Sequence, residues 1–172
     1  MKQLILGGAR AGKSTLAEHL AASSGERVVY VATATAVDEE MRARIRHHRQ
    51  RRPSGWSTVE EPIHLARVIE KLSAPGQCVL VDCLTLWLSN LLLLPEEKWR
   101  QELDSLLESV TQSRGSLILV SNEIGMGIVP MGEVVRRFRD QAGWLHQALA
   151  ARCDRVVLTV AGLPQVLKGE PL

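Results

Sequence analysis

The residues with the clearest chemistry form the stretch GGARAGKST at positions 7–15. Gly7, Gly12, Lys13 and Ser14 satisfy the pattern G-x-x-x-x-G-K-[ST], in which a glycine-rich turn directs backbone N–H groups at phosphates. An apolar run precedes the stretch and a helical pattern follows it, so a helix N-terminus adds partial positive charge. The pattern predicts a nucleotide site in which Lys13 reaches the β- and γ-phosphates and Ser14 ligates Mg²⁺.

A carboxylate belongs to the same predicted site. The apolar run CVLVD ends in Asp82, and in phosphate-loop proteins a carboxylate at the end of such a strand holds the Mg²⁺ shell. The alternative is that Asp82 caps a helix that begins at Leu84. We favour the metal role because the phosphate loop is present.

A second reactive stretch, MRARIRHHRQRRP, carries two adjacent histidines among arginines at positions 41–53. On a helix with about 100° per residue, Glu40, Arg44, His47 and Arg51 form one charged row, whereas His48 leans toward the apolar side. Neighbouring guanidinium groups favour the uncharged imidazole that a nitrogen nucleophile requires, and they stabilise charge that develops on an attacked phosphorus. The alternative is a solvated, arginine-rich helix face.

The elements that must position these residues follow from the hydrophobic pattern. Strands are predicted at 3–6, 27–32, 77–81, 116–120 and, as the last strand, 155–160; helices are predicted at 13–24, 38–51, 62–72, 84–94, 96–113 and 132–152. Short apolar strands separated by helices favour a parallel sheet covered on both faces, in a single α/β domain over 1–172. The stretches 53–62 and 125–132 are predicted loops. The apolar helix at 84–94 belongs either to the core or to a subunit contact.

Composition limits the function classes. The 172 residues are 45% hydrophobic and carry a formal net charge of +2, which fits one globular domain and argues against a general polyanion binder. The three cysteines have no metal-ligand spacing and suggest reduced thiols. Because the chain opens directly into a strand and its most apolar stretch is shorter than the roughly 20 residues of a membrane span, we expect a cytoplasmic protein without a membrane span or nucleic-acid partner.

Longer segments extend these motifs along nearly the whole chain: YVATA at 30–34, DEEMRARIRHHRQRRP at 38–53, VDCLTLWLSNLL at 81–92, SNEIGMGIVP at 121–130 and RFRDQAGWLHQALA at 137–150. With GGARAGKS at 7–14 they resemble the bifunctional adenosylcobinamide kinase / adenosylcobinamide-phosphate guanylyltransferase family of cobalamin biosynthesis. The resemblance implies a RecA-like P-loop fold, phosphorylation of adenosylcobinamide by ATP or GTP, and GMP transfer from GTP through a guanylylated histidine. It also implies a homotrimer.

In the family motif the modified residue is the first histidine of the pair, which is His47, the same residue that the helical wheel selects. The resemblance implies catalytic roles for His47 and Lys13 and a Mg²⁺ site at Ser14 and Asp82. The implied nucleotide contacts are Gly7, Gly8, Ala9, Arg10, Ala11, Gly12, Lys13, Ser14, Ala32, Thr33, Ala34, Arg49, Gln50, Arg51, Arg52, Glu60 and Asp82. Glu60 is in addition a candidate acceptor for guanine N1 and N2, with a helix-capping role as the competing interpretation.

Several assignments stay open on sequence alone. Glu123 is a candidate base or water-orienting group, or else makes a structural hydrogen bond. Arg136, Arg137 and Arg139 either clamp a substrate phosphate or are solvated, and His146 is isolated in the sequence and expected to be structural. Two alternative functions compete: a plain P-loop small-molecule kinase without a covalent intermediate, and a nucleotide-gated protein that binds RNA or a partner through the arginines at 42–52.

Overall fold

The computed structural model describes residues 1–34, 39 and 53–172. In those ranges the strands are β1 Lys2–Gly7, β2 Arg27–Ala32, β3 Ser57–Glu60, β4 Gln77–Asp82, β5 Ser116–Asn122, β6 Arg155–Val160 and β7 Leu163–Lys168. The helices there are α1 Lys13–Ser23, α2 Leu65–Leu72, α3 Leu84–Leu91, α4 Glu96–Gln112 and α5 Glu133–Arg152. The predicted helix at 38–51 lies outside the described residues except at position 39, and so do both adjacent histidines.

The strands form one sheet in the order β3-β2-β4-β5-β1-β6-β7. Neighbours are parallel except β6 and β7, which are antiparallel. Because the other strands run in one direction, their carboxyl ends meet at one edge of the sheet, which we call the carboxyl edge. The register sets Gly7 beside Asn122, and Ala32 beside both Asp82 and Glu60, at this edge.

The central strands are apolar throughout because both of their faces are buried. Successive side chains alternate between the faces: Leu4 and Leu6 belong to the larger core cluster, and Ile5 belongs to the cluster on the other face. In α3 the indole of Trp87 is fully buried, and Leu84 is buried beside it in the larger cluster. This apolar helix was predicted to belong either to the core or to a subunit contact, and the core prediction is confirmed for its buried face.

Two predictions at the edges of the sheet are wrong. The stretch 53–62, predicted to be an irregular loop, contains β3, which is polar and mostly exposed, so it lacks the apolar signal of the central strands. The strand at 155–160 is not the last, because β7 follows it through a two-residue turn. In that turn Ala161 has φ 52° and Gly162 has φ 80°, the backbone that favours tight hairpins.

Element boundaries differ from the predictions where side chains or pairing decide them. α2 begins at Leu65, three residues later than predicted, because the Glu61 carboxylate accepts hydrogen bonds from the N–H groups of Ile63 and His64 at 2.9 and 2.8 Å. The fourth and fifth strands run on to Asp82 and Asn122, so both residues join the sheet. No helix in the described part of the chain is long and apolar enough to cross a membrane.

Candidate nucleotide-binding site

The backbone of the phosphate loop requires glycine where it meets β6 and the β6–β7 turn. A Cβ on Gly7 would lie 2.3 Å from Thr159 Oγ1, so only glycine fits there. Gly12, the residue before α1, has φ 96°, and a Cβ on it would lie 3.2 Å from the Gly162 Cα. The Gly162 N–H donates to the Ala11 carbonyl at 3.1 Å. The β6–β7 turn therefore packs against the phosphate loop and supports its backbone.

Lys13 is buried directly beneath the exposed part of this loop. Gly8 and Arg10 are exposed, whereas Lys13 is only 7% exposed and its Nζ donates to the Gly8 carbonyl at 2.6 Å. Burial lowers the pKa of Lys13, and the nearby Cys83 and Asp82 oppose that shift. An ammonium group held beneath exposed backbone donors suits the neutralisation of phosphate charge.

Asp82 is oriented by a buried tyrosine rather than by a helix end. The Tyr30 hydroxyl donates to Asp82 Oδ2 at 2.9 Å from the neighbouring strand β2. The residue that precedes α3 is Cys83, and no side chain caps that helix. The capping alternative for Asp82 is therefore wrong, and its carboxylate is a neighbour of Lys13 at the carboxyl edge.

Ser14 and Asp82 have the donor chemistry that Mg²⁺ prefers. Ser14 lies half-buried in the first turn of α1, and it offers a hydroxyl oxygen where Asp82 offers a carboxylate. Among the described residues no group of three or more His, Cys, Asp or Glu side chains could hold a metal alone. A few protein oxygens fit an ion that commonly keeps its waters and binds substrate phosphates.

Thr33 fastens the end of β2 to the residue after β4. Its side chain is fully buried, and its Oγ1 donates to the Cys83 carbonyl at 2.7 Å and accepts from the Cys83 N–H at 3.0 Å. Asn90 Nδ2 donates to the Thr33 carbonyl at 3.1 Å. The Thr33 hydroxyl thus positions the segment that carries Asp82. Ala32 and Ala34, the other predicted contacts here, are half-buried at the same edge.

Glu60 ends β3 at the carboxyl edge, where its side chain is exposed. The carboxylate that accepts hydrogen bonds from the backbone just before α2 is that of its neighbour, Glu61. The guanine contact of Glu60 stays a prediction. The predicted nucleophile, His47, lies outside the described residues. So do four predicted nucleotide contacts: Arg49, Gln50, Arg51 and Arg52.

A buried polar group beside the loop is the feature that the sequence did not reveal. The Glu123 N–H donates to the Gly7 carbonyl at 2.9 Å. His146, expected to be isolated, is 6% exposed; its Nδ1 lies 3.6 Å from Glu123 Oε2 and its Nε2 lies 2.7 Å from Ser121 Oγ. Burial lowers the pKa of His146, and the Glu123 carboxylate opposes that shift. These residues are far apart in the chain, so no local spacing could identify the pair.

The arginines of the late helix are engaged by neighbouring protein groups. The Arg136 guanidinium donates to the two carbonyls of residues 130 and 131. The Arg137 guanidinium lies 5.4 Å from the Trp99 ring centroid, and Arg139 pairs with Asp140 at 2.9 Å. Each arginine thus has a protein partner, although Arg137 remains 51% exposed, and the phosphate clamp stays a prediction.

The chain matches known proteins along nearly its whole length. A family model described as cobinamide kinase / cobinamide phosphate guanyltransferase matches residues 3–167. The bifunctional adenosylcobalamin biosynthesis protein CobP of Pseudomonas aeruginosa is 58% identical over all of both chains. The bifunctional adenosylcobalamin biosynthesis protein CobU of Escherichia coli is 40% identical over 98% of this chain and 100% of that protein.

The fold is also similar to solved structures. The crystal structure of the RadB recombinase has a TM-score of 0.51 and 18% identity over 91% of this chain and 73% of that chain. This likeness concerns the fold alone. With the parallel sheet and the phosphate loop, it confirms the predicted α/β P-loop fold of RecA-like type.

Proposed function

Because the chain belongs to the cobinamide kinase / cobinamide phosphate guanyltransferase family, we propose that it carries out two transfers in succession at the site around Lys13. The chain is an enzyme with the kinase and guanylyltransferase activities of that family. In the first transfer, ATP or GTP phosphorylates adenosylcobinamide. In the second, GTP supplies GMP to the resulting phosphate, which gives adenosylcobinamide-GDP and pyrophosphate.

The observation that carries the proposal is the position of Lys13. Its ammonium group is buried beneath the exposed loop and has Asp82 as a charged neighbour. This arrangement can anchor a triphosphate through backbone N–H groups, the helix N-terminus and one fixed cation. The proposed nucleotide contacts are those inferred from the sequence. Bound Mg²⁺, held by Ser14 and Asp82, would neutralise charge on the phosphate oxygens.

For the guanylyl transfer we assign the nucleophile to His47. Its uncharged ring nitrogen attacks the α-phosphorus of GTP; the nitrogen–phosphorus bond forms as the bond to the leaving pyrophosphate breaks. The phosphate oxygen of adenosylcobinamide phosphate then attacks the same phosphorus and releases the imidazole. Support comes from the charged row of Arg44, His47 and Arg51 in the sequence, and from chain connectivity. The chain enters residues 35–52 from the carboxyl end of β2, the edge that also holds Lys13.

The remaining expectations complete the proposal. One catalytic domain spans 1–172, and the enzyme works in the cytoplasm as a homotrimer. Light scattering on the purified enzyme measures the assembly directly, and a mass three times that of the chain is the expected result. A monomer that retains both activities would contradict the trimer without affecting the assignment of the nucleophile.

The assignment of His47 is tested by self-labelling. The enzyme is incubated with Mg²⁺ and GTP labelled at the α-phosphorus, then denatured, and the protein-bound label is counted. We expect acid-labile label on the unmodified enzyme and on His48→Ala, the matched control, and none on His47→Ala. Equal labelling of His47→Ala would rule out this nucleophile. Phosphorylation of adenosylcobinamide without any protein label would instead favour the plain kinase.

A further inference from the structure

A line of hydrogen-bonding groups leads from the sheet to Glu123, beside the phosphate loop. The Asn122 N–H donates to Thr85 Oγ1 at 2.7 Å, and Thr85 Oγ1 lies 3.3 Å from Ser121 Oγ. Ser121 Oγ lies 2.7 Å from Nε2 of His146, whose Nδ1 faces the Glu123 carboxylate. We call these four side chains, Thr85, Ser121, His146 and Glu123, the relay.

The fixed end of the relay favours one direction for its hydrogen bonds. The Asn122 N–H can only donate, so Thr85 Oγ1 accepts from it and can turn its own proton to Ser121, although either hydroxyl can be the donor in that contact. Ser121 then donates to Nε2 of His146, and the ring carries its proton on Nδ1. In the reverse direction the Thr85 proton would point at the Cys83 sulfur, a weak acceptor that the Thr85 side chain also reaches. That direction would also leave Nδ1 of His146 without a proton, so that its lone pair would face the negatively charged carboxylate of Glu123.

Burial differs between the last two members of the relay. The His146 side chain is 7% exposed and the Glu123 side chain is 20% exposed, so the carboxylate faces the solvent side while the imidazole lies in the interior. Glu123 is fixed by two backbone groups: its N–H donates to the Gly7 carbonyl at 2.9 Å, and its Oε1 accepts from the Gly125 N–H at 2.5 Å. The backbone of Glu123 is thereby held next to the first residue of the phosphate loop, and its carboxylate is anchored by the segment that follows β5.

We propose that His146 is a positioning residue for the kinase step, whose Nδ1–H orients Glu123 as the general base. This rests on the proposed function. As the substrate hydroxyl oxygen bonds to the γ-phosphorus, Glu123 takes the hydroxyl proton; the bond from the γ-phosphorus to the bridging oxygen breaks, and the nucleoside diphosphate leaves. Glu123 later loses the proton to water. The 3.6 Å separation between His146 and Glu123 shortens in the substrate complex, as is common for catalytic hydrogen bonds.

Two substitutions at one position separate this role from simple packing. Asparagine can offer an N–H where Nδ1 lies, whereas glutamine can reach Ser121 in place of Nε2. We therefore expect His146→Asn to keep most of the kinase kcat and His146→Gln to lower it by about 10²-fold, the usual contribution of a general base. Glu123→Gln should lower it similarly, and the KM for the nucleotide should stay within about twofold in every variant.

The guanylyl self-labelling reaction serves as the internal control, because it does not use Glu123. Its rate should fall far less than the kinase kcat in His146→Gln and Glu123→Gln. A His146→Gln enzyme with normal kinase kcat, or one that loses both activities together, would overturn the proposal. If the unmodified enzyme self-labels but phosphorylates nothing, the kinase half of the proposed function fails with it. If only the proposed role of His146 is wrong, the unmodified enzyme still phosphorylates its substrate, so the two results can be told apart.

A measurement on the unmodified protein tests the relay without a variant. Long-range ¹H–¹⁵N spectra distinguish the two neutral histidine tautomers. We expect the buried imidazole of His146 to carry its proton on Nδ1, with Ser121 as the donor to Nε2. A proton on Nε2 would reverse the relay, and it would overturn the proposal even if the kinase is active.

Discussion

At the scale of single residues, the site depends on groups that hold the reactive side chains rather than on the reactive side chains alone. Tyr30 lies 2% exposed in the sheet, and its hydroxyl holds one oxygen of the Asp82 carboxylate. Hydrogen bonds to charged groups typically contribute about 1.5–3 kcal/mol, more than those between neutral groups. Tyr30 therefore restricts the rotation of the carboxylate that we assign to the metal.

Tyr30→Phe should weaken the apparent affinity of the site for Mg²⁺, because an unrestrained carboxylate must be ordered when the ion binds. We expect the Mg²⁺ concentration for half-maximal self-labelling with GTP to rise roughly threefold to tenfold, a fraction of the energy of one charge-assisted hydrogen bond. At saturating Mg²⁺ the labelling rate should return toward that of the unmodified enzyme. An unchanged Mg²⁺ titration would show that Asp82 needs no orientation by this hydroxyl.

At the scale of elements, the phosphate loop relies on the β6–β7 hairpin behind it. Gly12 lies so close to the hairpin turn that a Cβ added to Gly12 would touch the Gly162 backbone. Gly25, by contrast, also has a left-handed backbone, with φ 70°, but it is exposed and has no atom within 4 Å of an added Cβ. The β6–β7 hairpin, which the apolar pattern of the sequence did not predict, thus constrains the backbone of the phosphate loop.

Gly12→Ala should weaken nucleotide binding by about tenfold or more, since a side chain in the left-handed region costs about 1–2 kcal/mol before the contact with Gly162 is counted. Gly25→Ala is the matched control and should change the affinity by less than about threefold, because it carries the same left-handed strain outside the phosphate loop. Titration with a fluorescent GTP analogue measures both. Similar affinities for the two variants would show that the hairpin does not constrain the loop.

At the scale of the whole molecule, stability is linked to the buried thiols. All three cysteines are free, and burial raises the pKa of both Cys78 and Cys153 to about 11. A thiol in the unfolded chain ionises near 9.0, so folding favours the protonated form. This contribution is complete below about pH 9 and is lost as the pH rises through the folded-state pKa values.

The free energy of unfolding should therefore fall between about pH 9 and 11, measured by urea titration at a series of pH values. A variant that combines Cys78→Ala with Cys153→Ala should have a flatter profile over that interval, although its stability at pH 7 will be lower. The comparison removes the contribution of lysines and tyrosine, which titrate in both proteins. Parallel profiles would mean that these thiols ionise as readily in the folded protein as in the unfolded chain.

Local patterns were sufficient for the central sheet and for the phosphate loop. Strands with both faces buried are continuous apolar runs, and glycine at positions 7 and 12 is needed by the backbone itself. The same patterns failed for β3 and β7, because an exposed edge strand need not be apolar. The nucleophile at His47 stays a prediction, since it lies outside the described residues.

The amino-acid sequence by itself determined the α/β class, the nucleotide loop and the carboxylate at the end of β4, because each depends on residues close together in the chain. Only the tertiary structure decided which distant side chains support them. Tyr30 reaches Asp82 across 52 positions, and His146 reaches Ser121 across 25. Such contacts depend on strand order and helix packing, which place residues together in space without leaving a periodic signal in the sequence.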